Sequence, residues 1–439
     1  MLSGAQKPAT AEASETFHAS RPYATIDAAR DCAWPGEEAV SMKTTRIVAA
    51  VVLAMVIATL AVAGTGEEVE KKPLPELAPE LQTELTDYLK QNWQSPEAYV
   101  VSKFEDHDIV FLGEYHRIKH DVQLVHNLIP RLYAAGIYNL GIEFGAEEMQ
   151  QKVDQLLAAP AYDEKLAREI MFESLPFWGY TDYMDIYRAA WKLNNSLPSS
   201  ARKFRVVNLN YIPRFELVKE EMTPEDWAQV WYRGDDDEVM AGVILREFVD
   251  EKEKALIYSG NHHAFTRYRQ PLYDFQQQKL HGLKDNRMGN LVYAKIGDRA
   301  FNIYLHSSWW SKKDTDYQAS GYPVGGVIDR VMREFADTRV GFDVRGTPFG
   351  ELPDEIAYYA LGYEDFTLAD YCDGYIYQRH FPDYEGVTPD PQFITQENLA
   401  RALAAIPNLE ARKRVTEAAQ LLEVIARDAD MSRRFPHLH

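Results

Sequence analysis

Two four-residue stretches of this sequence share one spacing, Gly113-Glu114-Tyr115-His116 and Gly260-Asn261-His262-His263, each with an imidazole three positions after a glycine. Glu143, Asn208 and Asn210 lie between them in the chain. Carboxylates and imidazoles hold divalent ions and move protons near neutral pH. Two chemistries suit Glu114, His116, Glu143 and His263. One is coordination of a divalent metal ion that activates a bound water. The other is metal-free catalysis, in which an imidazole oriented by a Glu deprotonates water. Residue types alone leave both open. Asn208, Asn210, Asn261, His262 and Arg267 are candidates for substrate contacts, Arg267 because a guanidinium can hold a carboxylate or an oxyanion. Each has a plain structural use as well: Glu114 and Asn261 can cap a following helix, His262 can be a satisfied surface residue, and Arg267 a solvated helix charge. His120 stands four residues after His116, but Arg117 occupies the position that a zinc-protease H-E-x-x-H motif fills with Glu, so His120 is expected behind the site or on the surface. Phe177-Trp178-Gly179-Tyr180 and Trp309-Trp310 are read as pocket walls or core.

These residues need a scaffold that brings distant parts of the chain to one place. Short aliphatic runs alternate with amphipathic stretches, which predicts α/β architecture: a mixed, mostly parallel sheet flanked by helices on both faces, with a helical C-terminal extension. The predicted strands are Ile109–Leu112, Asn139–Ile142, Phe204–Leu209, Ala255–Ser259, Leu291–Ile296, Phe301–Leu305 and Gly374–Gln378. Ile118, Val122, Val125, Leu128, Ile129 and Leu132 recur at helical spacing and Gly136 supplies a stop, giving a βαβ unit. Leu291–Leu305, with Gly297-Asp298 in its middle, reads as a hairpin. Ligands of open α/β sheets bind beyond the carboxyl ends of the strands. There Ile109–Leu112 runs into the Glu114 motif, Asn139–Ile142 into Glu143, Phe204–Val207 into Asn208 and Asn210, and Ala255–Ser259 into the His263 motif. Two carboxylates and two imidazoles on one sheet edge are costly to bury unless they pair or bind an ion.

The paired G-x-x-H motifs, with Glu143 ending the second strand, resemble the superfamily that joins Tiki and TraB proteins, erythromycin esterase-like proteins and ChaN-like haem-uptake proteins. The resemblance covers about Glu105 to Leu305, is weaker at Asp373-Gly374-Tyr375-Ile376-Tyr377, and is closest to the ChaN-like and esterase-like branches. It implies that Glu114, His116, Glu143 and His263 form the site. It also implies a choice among metal-dependent proteolysis, ester hydrolysis and haem binding. The esterase branch has two residues between its first Glu and His where this chain has only Tyr115, which separates it from macrolide esterases. The expected activity is hydrolysis of an ester or amide bond in a small molecule or peptide, with a divalent metal as the tentative cofactor. The alternative is a ChaN-type protein that holds haem or another iron complex through His and Tyr residues near the same strand ends, with Tyr115, Tyr268 and the aromatic segments as candidates.

Other features bound the reading. No G-x-S-x-G elbow, P-loop or G-x-G-x-x-G turn is present, so serine hydrolase, P-loop and Rossmann readings lack support. A net charge of −20 weighs against nucleic acid as a partner. Lys43 and Arg46 precede an apolar run, Ile47 to Ala63, with Thr59 inside it, that ends in Ala61-Val62-Ala63, the pattern of a signal peptide. The expected organisation is an upstream extension over 1–41, with translation starting at Met42, a signal peptide or anchor over 42–63 and a linker over 64–80. An α/β core over 81–320 and a C-terminal extension over 321–439 follow, the latter returning a strand at 374–378 and a helical pair between Gln396 and Arg427. The expected location is periplasmic or secreted, with membrane contact only through residues 47–63 if they are not cleaved. Cys32 lies upstream of the apolar run, so Cys372 is alone in the mature chain and is read as a packed thiol.

Overall fold

The computed structural model describes residues 71–438 apart from 276, 313–319 and 336–338. The expected extension, signal segment and first part of the linker lie outside the described residues. Among the described residues no helix is long and apolar enough to cross a membrane.

β1 (Ile109–Glu114) is buried along its whole length, as a strand covered on both faces must be. Val110 and Leu112 pack with helices Lys119–Ala134 and Thr181–Ser196, whereas Ile109 and Phe111 pack with helices Asp236–Ile244 and Met288–Ile296. The remaining strands are β2 (Asn139–Ala146), β3 (Arg205–Asn210), β4 (Ala255–Gly260), β5 (Gln270–Asp274), β6 (Lys279–Lys284), β7 (Ala300–Leu305), β8 (Trp309–Trp310), β9 (Ser320–Gly321), β10 (Val340–Asp343) and β11 (Gly374–Tyr377). Seven of them form one sheet in the order β10-β11-β7-β1-β4-β2-β3. All pairs are parallel except β10 with β11. The architecture is the expected one, helices on both faces of a mixed, mostly parallel sheet. Helix Lys119–Ala134 buries Val122, Val125, Leu128, Ile129 and Leu132 and ends before Gly136, whose φ of 82° closes it.

Three local expectations differ. Leu291–Ile296 is the latter part of helix Met288–Ile296, not a strand, and Leu291–Leu305 is not a hairpin. A short apolar run does not distinguish a buried helix from a buried strand. Here Met288 and Val292, one turn apart, face the core, and Gly297 (φ 59°) ends the helix before β7. The sheet is mixed because of β10, which the sequence reading missed. Consecutive strands pair antiparallel in β5–β6, obscured in sequence by Pro271 and Gly282, and in β8–β9. Finally, Gln396–Arg427 holds three short helices, Leu399–Ala404, Leu409–Arg414 and Ala418–Asp428, followed by Met431–Arg434. Pro407 separates the first two, and Asn408 caps the second by accepting from the Ala411 amide.

Cys372 is buried, its Sγ is 4.0 Å from the Leu368 carbonyl, and burial pushes its thiol well above the ordinary range. Native protein is expected to resist iodoacetamide at pH 8 until it is denatured, and Cys372→Ser to lower unfolding free energy by about 1–3 kcal/mol. Mass spectrometry of alkylated protein and urea denaturation check both.

Candidate functional site

β1 and β4 are neighbours in a register that sets Glu114 beside Gly260, and β2 flanks β4 on the far side. β2 pairs with β4 up to Ile142, and its register with β3 shifts between Ile142 and Ala146. Glu143 sits in this bulge, a feature that re-aims side chains at sheet rims. Its Oε2 accepts the Gly260 amide at 2.6 Å. Three adjacent strand ends thus deliver Glu114, Gly260 and Glu143 side by side.

Glu114 has no solvent exposure. Its Oε1 accepts from His116 Nδ1 at 2.8 Å and from Tyr183 Oη at 2.6 Å, and its Oε2 accepts from Tyr258 Oη. Burial, with the Glu114 charge second, pushes both phenols well above their ordinary values and keeps them donors. With Nδ1 donating to Glu114, Nε2 is the ring nitrogen left to exchange a proton. That edge lies over Gly260: a Cβ added there would be 2.7 Å from His116 Cε1, 2.9 Å from Nε2 and 3.4 Å from Glu143 Oε2. Glycine is what lets the imidazole and the second carboxylate approach each other.

His263 mirrors this arrangement from the other side. It is 1% exposed, its Nδ1 is 2.6 Å from Asp237 Oδ1, and its Nε2 lies 3.4 Å from Glu143 Oε1 without forming a hydrogen bond. Burial pushes the imidazole down, but Asp237 and Glu143 outweigh it and raise the pKa to about 9. His263 is therefore an imidazolium at neutral pH. Burial likewise works against the Asp237 charge, yet His263, Arg287 and Lys284 hold that carboxyl well below the usual range. Asp237 Oδ2 accepts from Lys284 Nζ at 3.0 Å and Arg287 Nη1 at 3.1 Å, and Oδ1 from the Met288 amide at 2.8 Å. Two imidazoles, each held at Nδ1 by a carboxylate, thus flank Glu143.

The turn after His116 is strained. Arg117 has φ 71°, a conformation that costs a non-glycine residue ~1–3 kcal/mol and persists only where its surroundings impose it. Its amide donates to Tyr183 Oη at 2.9 Å, so one phenol fixes both the strained residue and Glu114. Trp178 and Phe144 stack 5.2 Å apart, His116 is edge-on to each, and the Arg117 guanidinium lies 4.4 Å over the Trp178 ring. They form an aromatic wall.

Glu114, His116, Glu143 and His263 are brought together, whereas the substrate candidates are not. Asn208 donates to the Ala146 carbonyl and accepts from Tyr187, and Asn210 accepts its neighbour's amide. Asn261 donates to Tyr371 Oη, and His262 Nε2 is 3.0 Å from Tyr359 Oη amid Phe265 and Trp310. Arg267 pairs with Asp298 and Asp373, which precede β7 and β11, at the opposite edge of the sheet. His120 is buried behind the site against Tyr384, and burial holds its pKa well below the ordinary value. The sequence reading missed Tyr183, Tyr258 and Asp237. The tyrosines lie inside regular elements, and Asp237 reads as one more acid at the start of helix Asp236–Ile244.

The residues do not fit a divalent ion as they stand. Among the described residues the grouping of three candidate donors within 4.8 Å is Asp235, Asp236 and Asp237, not the Glu/His set. Asp235 caps a helix and both Asp237 oxygens are engaged, so that acidic run has a structural explanation. Of the tyrosines named for haem, Tyr115 packs against Phe435 with the Arg434 guanidinium over its ring, and Tyr268 is buried. Tyr268 Oη donates to the Tyr359 carbonyl at 2.6 Å inside the core, and His262 Nδ1 faces Gln270 Nε2 at 3.4 Å while its Nε2 meets Tyr359.

Residues 100–206 match the family model described as haem-binding uptake, Tiki superfamily, ChaN. The superfamily is the one the motifs resemble. The ChaN match includes Glu114, His116 and Glu143 and stops short of Asp237 and His263. Solved structures similar to this chain include a succinoglycan biosynthesis protein, with 10% identity, TM-score 0.46 and coverage of 69% of this chain and 98% of that one. An erythromycin esterase mutant in its open conformation has 10% identity, TM-score 0.40 and coverage of 63% and 91%. ChaN of Campylobacter jejuni with cofacial haem has 13% identity, TM-score 0.31 and coverage of 49% and 88%. No curated protein matches the sequence.

Gly260→Ala is expected to displace His116 at an overpacking cost of about 1–3 kcal/mol while the sheet persists, which urea denaturation and the His116 ring signals in NMR would report. The pH dependence of stability has a definite sign. A pKa raised on folding stabilises the fold below the unfolded value, and that contribution is lost as pH rises through the folded value. Urea midpoints are therefore expected to fall from the ordinary 6.5 of His263 up to about 9. Asp237→Asn is expected to cost ~3–5 kcal/mol and flatten that slope.

Proposed function

We propose that this chain is an exported hydrolase in which His116 activates water against an ester or amide bond of a small-molecule or peptide substrate. One observation carries the reading: Glu114 holds His116 Nδ1, and the Nε2 edge of the ring lies over Gly260 beside Glu143. A base oriented by a carboxylate is the arrangement of general-base catalysis. Nε2 takes a proton from water, the hydroxide oxygen bonds to the carbonyl carbon, and the carbonyl electron pair moves onto oxygen. Collapse breaks the bond to the leaving group, which receives the proton from Nε2. Glu143 borders the space where the water would sit, held by the Gly260 amide at 2.6 Å with the His263 ring 3.4 Å away. The buried setting strengthens each of these electrostatic contacts. The export part of the proposal rests on Lys43, Arg46 and the apolar run to Ala63.

A second reading, haem binding, is favoured by the description of the matched family model. Haemin titration separates the two, because a Soret band shifted with one-to-one stoichiometry supports the second. For the hydrolase, wild-type protein is expected to turn over short-chain 4-nitrophenyl esters or anilides. His116→Ala and His263→Ala should each lose on the order of 10²-fold or more, and the double variant little beyond that. His120→Ala is expected to keep far more activity. Absence of turnover together with a saturable Soret shift would replace this reading with the haem one.

A further inference from the structure

The strained turn that carries His116 is held from the far end of the chain. The His116 carbonyl accepts from Arg434 Nη1. The Arg117 carbonyl accepts the Val387 amide at 3.0 Å, the Lys119 amide donates to the Glu385 carbonyl at 2.9 Å, and Ile118 and Gly386 form a β-bridge. The Arg117 side chain is tied through Tyr180, whose hydroxyl accepts from Arg117 Nε at 2.9 Å and donates to the Ile425 carbonyl at 3.0 Å. Every residue from His116 to Lys119 therefore contacts, directly or through Tyr180, a segment more than 250 positions later. Segment 385–387 is itself braced against the closing helices: a Cβ on Gly386 would fall 1.7 Å from the Ala429 carbonyl oxygen. The Arg434 guanidinium also lies 4.8 Å over the Tyr115 ring, and Phe435 packs against that ring at 5.4 Å. Here Ile118, Phe381, Tyr384, Met431, Phe435 and Leu438 form a small cluster separate from the main cores.

We propose that Arg434 is a positioning residue for His116, and that the segment from Met431 to Leu438 straps the His116–Arg117 turn into the conformation that directs Nε2 toward Glu143. The hydrogen bonds of Glu114 fix the ring from the side-chain end, and Arg434 fixes the same residue from its backbone. A non-glycine residue at φ 71° relaxes unless its neighbours hold it, and Arg434 reaches the peptide that joins the imidazole to that residue. The main cores do not depend on this contact, because the strap packs on its own cluster. The proposal rests on the hydrolase reading only for its activity readout, since the position of His116 is measurable without a substrate.

The test compares Arg434→Ala and Arg434→Lys in the full chain. Two-dimensional NMR of the histidine rings follows His116 through its tautomer and titration, with His107 and His126, held by the Asp298 and Asp182 carbonyls, as internal references, and 4-nitrophenyl acetate serves as the activity probe. Arg434→Ala is expected to shift or broaden the His116 ring signals while the reference signals stay in place, and to lower kcat tenfold or more with KM changed less than threefold. Arg434→Lys is expected to recover part of both effects. Unchanged His116 signals in Arg434→Ala would overturn the proposal, as would equal disturbance of all three rings, which marks general loosening. If Arg434→Ala does not fold, the lysine variant decides: wild-type His116 signals and kcat would sink the idea, and a selective change in His116 would support it. If the wild type hydrolyses no ester and Arg434→Ala still moves only His116, the hydrolase reading fails and the strap stands.

Discussion

The site is organised around a carboxylate with no access to water. Glu114 is placed by the register of β1 against β4, and burying it carries a large desolvation cost that donors must offset. Three side chains do so: His116, Tyr183 and Tyr258. They come from the turn after β1, from a helix on one face of the sheet and from β4, so satisfying one charge aligns three elements. Truncating any donor leaves a buried charge short of a partner, which costs more than the bond itself contributes. The tautomer of His116, and hence the direction in which it can accept a proton, follows from the same set of bonds.

Glu114 and Asp237 solve this problem in opposite ways. Glu114 is surrounded by neutral hydroxyls and one imidazole, whereas Asp237 is met by Lys284, Arg287 and a protonated His263. The two imidazoles therefore differ although their motifs share a spacing: Glu114 sets His116 among tyrosine hydroxyls and aromatic rings, whereas Asp237 and Glu143 hold His263 as a cation. Glu143 lies between the ring of His116 and the His263 cation, so the four residues are not equivalent.

Much of this was legible in the sequence, and the rest was not for identifiable reasons. Strand-end placement could be read because β1, β3 and β4 are short runs that end in glycine or a polar residue, and the apolar run opening β2 gives way to Glu143. The Glu/His set followed from the rule that parallel sheets present ligands at those ends. Arg267 misled because a residue four positions after His263 was assumed to stay at that edge, whereas the chain runs from His263 down the sheet to Asp298 and Asp373. Leu291–Ile296 misled because hydrophobic content without clear periodicity fits a helix or a strand. Tyr183, Tyr258 and Arg434 were invisible, since a tyrosine in a helix, a tyrosine in a strand and an arginine near the end of the chain have no local signature of a shared target. Their roles come from tertiary packing alone.

The strand order has a consequence for how the molecule is built. β1 and β2 are consecutive and joined by a single helix, yet β4 lies between them. When those two strands emerge from synthesis, their eventual neighbour is more than 100 residues away, and each exposes an unsatisfied edge that can pair with the other or with another chain. The portion of the chain matched by the family model ends within β3, before β4 begins. That portion contains Glu114, His116 and Glu143 but not the glycine on which they meet, so the strand that joins β1 to β2 in the sheet is also the one that completes the Glu/His cluster.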